Sequence, residues 1–340
     1  MEFIYEIGLF ALKTVFIVVG VLLTAAFLFQ MGSSRNRRGT QMEVEKLNSR
    51  FKSFRRHLQG HLLGKKQFKN LQKAEKKQRK AEDTGDARPG RVFVIDFVGD
   101  VRATAVQSLR EEITAILSVA QAGDEVVVRL ESGGGLVTSY GLAASQLARL
   151  KEAKIKLTIC VDKIAASGGY MMACVADEII AAPFAVVGSI GVIAQVPNFN
   201  RVLKKNDVDY REVTAGEFKR TVTVFGEITE HGMEKFKEQI EGTHLLFKNF
   251  VSSHRPRVDI AKVATGEHWY GTQAVELGLV DRLLTSDDYL FQRYPTADVF
   301  RVHYHGRKKL RDRLSESASE ILHKTLLKLW TDANRTRFDL

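Results

Sequence analysis

Two glycine-rich turns hold the residue types best suited to chemistry. One is Glu131-Ser132-Gly133-Gly134-Gly135, the other Ala165-Ala166-Ser167-Gly168-Gly169-Tyr170. Each follows a β-branched run, Val126–Leu130 and Leu157–Val161, and each precedes a helical pattern. Glycines there let bare backbone N–H groups come close to a ligand. A hydroxyl at Ser167, opening the second helix, sits beside such groups, which is the arrangement of a nucleophile next to an oxyanion hole. Gly168 would give one donor, and Gly134 or Gly135 the second. The competing reading makes Ser167 a helix N-cap.

A serine nucleophile needs a base. The histidines His231, His244, His254 and His268 stand in helical or exposed contexts, with no Asp partner at a telling spacing. Lysine is the other solution, provided burial keeps it neutral. Lys219 sits beside Phe218 after an apolar run, and Lys163 lies four residues before Ser167 at a strand exit. Residue chemistry alone does not choose between them. There is no Cys-x-x-Cys and no His-Glu-x-x-His, so neither metal nor cofactor is expected. The two cysteines, Cys160 and Cys174, lie in apolar runs and give no disulfide framework.

The elements that must position these turns alternate. A strand is expected at 92–97, a helix at 104–121, a strand at 125–130 and a helix at 138–152. A strand at 156–161 and a helix at 168–176 follow. This order predicts an α/β layered fold with a mainly parallel core. Ile179–Val196 is apolar enough to imitate a membrane span, but Pro183, Gly188, Ser189 and Gly191 break a helix, so two short buried strands are expected. Beyond it the pattern predicts a strand at 209–214, a helix at 229–254 and a short helix after Gly271.

The ends of the chain differ in character from its middle. Leu9–Met31 is long and apolar enough to span a bilayer and lacks the flanks of a cleaved signal peptide. Residues 35–80 carry 16 Lys/Arg against three acids, so the net charge of +11 belongs to this segment and the remainder sums to −2. A basic nucleic-acid-binding domain is therefore not implied. Residues 40–83 read as a long amphipathic helix and a Lys/Gln-rich linker, either touching acidic lipid head groups or serving as a solvated spacer or oligomer contact. From residue 305 a basic amphipathic tail follows. The expected organisation is an anchor at 1–31, a basic spacer at 32–90, a catalytic domain at 91–304 and a tail at 305–340.

The run Val161-Asp162-Lys163-Ile164-Ala165-Ala166-Ser167-Gly168-Gly169-Tyr170-Met171-Met172-Ala173-Cys174 resembles the active-site segment of the signal peptide peptidase A family, as does Val187-Gly188-Ser189-Ile190-Gly191-Val192. The anchor, the Lys-rich spacer, Pro197-Asn198-Phe199-Asn200 and Thr265–Gly271 resemble a branch of inner-membrane proteases. The resemblance implies a ClpP/crotonase-like fold and a Ser/Lys dyad that hydrolyses peptide bonds. By motif it makes Ser167 the nucleophile and Lys219 the base. Ser189 orients the lysine, and Gly134 or Gly135 forms the oxyanion hole with Gly168. It also implies a ring or dome of identical protomers whose neighbours contribute to each site, with unfolded or membrane-derived peptides as substrates. One departure stands out: Gly133 occupies a position usually taken by proline, which frees the loop without removing the oxyanion glycines. The resemblance places the catalytic domain in the periplasm, whereas Arg35, Arg37 and Arg38 after the apolar segment place it in the cytoplasm. Two other classes compete: a crotonase-type enzyme acting on acyl-CoA thioesters, and a non-catalytic membrane scaffold.

Overall fold

The computed structural model describes residues 41–82 and 90–306. The expected anchor at Leu9–Met31, residues 32–40 and 83–89 of the expected spacer and all but the first two residues of the expected tail lie outside the described residues. One compact unit runs from Met42 to Gly306.

The chain opens with β1 (Met42–Lys46), α1 (Leu47–Leu62) and α2 (Lys65–Glu82). The alternating part follows as β2 (Gly90–Gly99), α3 (Val106–Leu117), β3 (Glu125–Ser132), α4 (Val137–Glu152), β4 (Lys156–Val161), β5 (Ile164–Ala166) and α5 (Gly168–Ala173). Then come β6 (Glu178–Ala181), β7 (Val186–Gly188), α6 (Asn200–Lys205), α7 (Glu230–His254), α8 (Ile260–Val263) and β8 (His268–Tyr270). The unit ends with α9 (Gly271–Glu276), β9 (Arg282–Leu283), α10 (Ser286–Arg293) and β10 (Ala297–Tyr304).

The sheet runs β1-β10-β2-β3-β4-β6-β9. All its pairings are parallel except β1 with β10. Parallel strands are covered on both faces, which explains their nearly unbroken apolar runs. Because side chains alternate along a strand, Phe93, Ile95 and Phe97 face one core with Leu109, Ile113, Tyr140 and Leu147. Val92 and Val94 face a smaller core with Leu47, Tyr289 and Leu290.

The α/β character and the predominantly parallel core agree with the sequence. Two local readings differ. The segment expected to be one long helix begins as β1, paired in register with Phe300–Tyr304, and then breaks between two helices at Leu63-Gly64. Residues 209–214 form no strand and pair with none of the described strands, and Val213 is 97% exposed. The apolar run after Ile179 does make two short strands, β6 and β7, and no helix among the described residues is long and apolar enough to cross a membrane.

A short layer leaves the main sheet at the C-terminal end of β3. Ser132 pairs with Ala165 of β5, β5 pairs in parallel with β7, and β7 pairs antiparallel with β8. This layer brings the two glycine turns together.

Candidate active site

Ser167 lies between β5 and α5 with φ +53° and ψ −119°, a conformation that L-residues avoid. Two hydrogen bonds hold it there: its own N–H donates to Gly188 O at 2.8 Å, and Met171 N–H donates to Ser167 O at 2.9 Å. Its side chain caps nothing, so the N-cap reading fails on geometry. A strained serine on a sharp strand-to-helix turn, with its hydroxyl uncommitted, is the arrangement that exposes a nucleophile.

The turn after β3 packs directly on it. A Cβ built on Gly134 (φ +88°) would fall 2.7 Å from both Gly168 N and Ser167 Cβ, so only glycine permits this approach. A Cβ on Gly168 would strike the Tyr140 ring at 2.4 Å. Among the described residues a donor chain runs through this turn. Gly134 N–H donates to Ser132 Oγ (3.1 Å), whose hydroxyl lies 2.5 Å from Tyr140 Oη, and Tyr140 Oη donates to Asp100 O (2.7 Å). The Gly134 amide is thus occupied within the chain. Among the described residues the N–H groups of Gly135 and Gly168 carry no such bond.

Beside Ser167 opens a cavity of about 320 Å³, lined by Val137, Met171, Val192, Leu246, Phe247 and Phe250 among others. Three of these come from the C-terminal half of α7. The sequence placed a helix there but gave no sign that it lines the site. Ser132 and Tyr140 were also missed as supports: Ser132 stood in the turn unremarked, and Tyr140 reads as one more apolar residue of a helix. Burial pushes the Tyr140 hydroxyl above its ordinary range, so it stays protonated and donating.

The other sequence candidates separate. Ser189 lies next to the Gly188 carbonyl that binds Ser167, in its own positive-φ conformation (φ +52°), and its N–H donates to Glu267 O at 2.6 Å. His244 spends Nε2 on Ile190 O at 3.1 Å. His231 sits near Glu217, and His254 bonds Phe250 O. None of these histidines bonds Ser167. Lys163 pairs with Glu131. Burial drives the Cys160 and Cys174 thiols strongly upward, away from thiolate chemistry. Among the described residues no three His, Cys, Asp or Glu side chains converge as metal ligands.

Lys219 does not line the cavity beside Ser167. It is exposed, and its neighbour Phe218 packs on His231 and under Lys235 at the start of α7. From His231 to Phe247, which lines the cavity, is 16 residues. That is about 24 Å of helix.

Comparison with known proteins bears on this site. Residues 2–147 match Peptidase family S49 N-terminal and residues 149–296 match Peptidase family S49. A "Probable protease SohB" of Haemophilus influenzae is 47% identical over 333 residues, covering 93% of this chain and 94% of that protein. Another, from Buchnera aphidicola subsp. Schlechtendalia chinensis, is 45% identical over 305 residues, covering 86% of this chain and 100% of that protein. Among solved structures, a 1510-N membrane-bound stomatin-specific protease aligns with a TM-score of 0.41 at 12% identity, covering 61% of this chain and 86% of that one. With matches along almost its whole length, the chain belongs to peptidase family S49, a family of serine-type peptidases.

Proposed function

We propose that Ser167 is the nucleophile of a membrane-anchored endopeptidase on a ClpP/crotonase-like framework, with Lys219 of a neighbouring copy as its base. The observation that carries this is the strained, uncapped Ser167 set against the free N–H groups of Gly135 and Gly168. In the reaction Ser167 Oγ attacks the scissile carbonyl and its proton passes to the lysine amine. The two amides hold the oxyanion, and the protonated lysine returns the proton to the leaving amine. Water then attacks the acyl-enzyme by the same route. Ser189, across Gly188 from the nucleophile, orients the lysine. The apolar cavity takes an aliphatic side chain of the substrate next to the cleaved bond.

Two features favour a lysine from another copy. Within one chain the Lys219 loop and the cavity sit at opposite ends of α7. The segment between β7 and α7 also leaves Ile193, Val202 and Val208 exposed, apolar surface of the sort that a second protomer covers. A ring or dome built this way would exclude folded proteins and admit unfolded or membrane-derived peptides. The apolar segment at Leu9–Met31 would tether it to a bacterial inner membrane.

A fluorophosphonate probe tests the nucleophile. Labelling of the wild type at Ser167, lost in Ser167→Ala together with peptide cleavage, is the expected result. Cleavage that survives Ser167→Ala would overturn Ser167 as the nucleophile, and a wild type that the probe leaves unlabelled and that cleaves no peptide would favour thioester chemistry on the same oxyanion hole, which needs no serine.

A further inference from the structure

The first helix carries an apolar stripe longer than the surface available to bury it. Leu47 and Phe51 start the stripe and are docked: Leu47 is in the smaller core, and Phe51 packs on Phe291 and Tyr294 with ring centroids 6.1 and 5.1 Å away. Asn48 fixes the same turn to β10 by accepting from Val299 N–H and donating to Ala297 O. The stripe then continues at helical spacing through Phe54, Leu58 and Leu62, which are 55%, 61% and 80% exposed. No acid occurs between Lys46 and Ala74. Exposed basic residues flank the stripe at Arg50, Lys52 and Arg55, and α2 adds Lys65, Lys66 and Lys69.

We propose that α1 lies on an anionic lipid surface, with Phe54, Leu58 and Leu62 entering the boundary between head groups and acyl chains and the flanking Arg and Lys residues on lipid phosphates. An apolar stripe rimmed by cations on a helix of low overall hydropathy is the pattern of an interfacial helix. Charge argues against the two other occupants. A second copy of α1 would bring cation against cation with no acid to relieve it. A nucleic acid would satisfy the charge and leave three large apolar side chains in water. Reach is sufficient: Gln41 is the tenth residue after Met31, ten Cα–Cα steps along the chain. Fully extended, they span at most about 35 Å. This last argument rests on reading Leu9–Met31 as a membrane anchor; the stripe and its charge do not.

The test uses the full-length chain with an environment-sensitive fluorophore on a cysteine replacing Leu58, and in a second preparation replacing Ser49 on the opposite side of α1. Each is reconstituted into vesicles of phosphatidylcholine alone or of an equimolar mixture with phosphatidylglycerol, with acyl-chain-brominated lipid as quencher. Expected is quenching of the Leu58 probe about tenfold stronger in the anionic vesicles, weakened by salt and lost in Lys52→Glu/Arg55→Glu, while the Ser49 probe stays in water. Equal quenching in both vesicle types would overturn the proposal, and so would disulfide-linked dimers through position 58 without lipid quenching. Alkaline carbonate extraction reads the anchor separately. A chain released by carbonate, whose Leu58 probe still enters added anionic vesicles, would refute the anchor and leave this surface standing.

Discussion

At the scale of single residues, the site is built from backbone conformations that most side chains refuse. Ser167 holds φ +53° and ψ −119°. Glycine takes that conformation freely, so Ser167→Gly should raise stability by about 1 kcal/mol while abolishing cleavage. Thermal unfolding checks this, and a lower melting temperature would contradict it. The adjacent turn allows a sharper contrast. A methyl on Gly133 would meet only Ile164 Cδ1 at 3.8 Å, and Gly133 has no positive φ. Gly133→Ala should therefore keep full activity and gain about 0.4 to 1 kcal/mol of stability through the unfolded chain. Gly134→Ala would push a methyl into Gly168 N and Ser167 Cβ, and kcat should fall about 100-fold or more as the oxyanion donors separate. Steady-state kinetics on the two variants separate the outcomes. The sequence located both turns and Ser167, because glycine and serine between a strand and a helix are themselves the signal. It left Gly134 and Gly135 undivided, since which amide is free depends on Ser132 Oγ, a contact that spacing does not reveal.

At the scale of elements, the alternating core was legible because each strand and helix there has its own apolar period. The element that failed was the strand at 209–214, which has β-branched residues but pairs with none of the described strands. Its apolar pattern records a surface, not a pairing within the chain. β1 was missed for the opposite reason: Met42–Lys46 alternates with charge and reads like the helix beyond it, and only β10 makes it a strand. That β1–β10 edge carries a titration. Glu112 of α3 is 2% exposed and accepts from Tyr304 N–H at 2.9 Å, and burial raises its pKa to about 7. His303 lies beside it with Nδ1 3.4 Å away, held below the ordinary histidine range by burial and then by His305 and Arg301. Because the folded pKa exceeds the unfolded value of 4.5, this carboxyl's contribution is full below pH 4.5 and is lost as pH rises through 7. The loss amounts to about 3 kcal/mol at most. Glu112→Gln keeps the Tyr304 bond without the charge. It should match the wild type near pH 4.5 and exceed it above pH 7 in melting temperature. Parallel curves for the two proteins would contradict this.

At the scale of the whole molecule, one chain holds the proposed nucleophile, the proposed oxyanion hole and an apolar cavity, with the proposed base on another part of its surface. Family resemblance pointed to Lys219, and no local pattern could. A lysine in an exposed loop looks like any solvated lysine, and the partner proposed for it belongs to another copy. The exposed apolar residues between β7 and α7 gain a purpose on the same reading, as contact surface between protomers that also carries the base. The measurement that tests this most directly mixes two variants, Ser167→Ala and Lys219→Ala, each inactive alone. The two are co-expressed, their co-assembly is verified by native mass spectrometry, and peptide cleavage is followed. Activity should return in the mixture, because a Ser167 from one copy meets a Lys219 from the other. A co-assembled mixture as inactive as its parts, or full cleavage by either variant alone, would contradict the account.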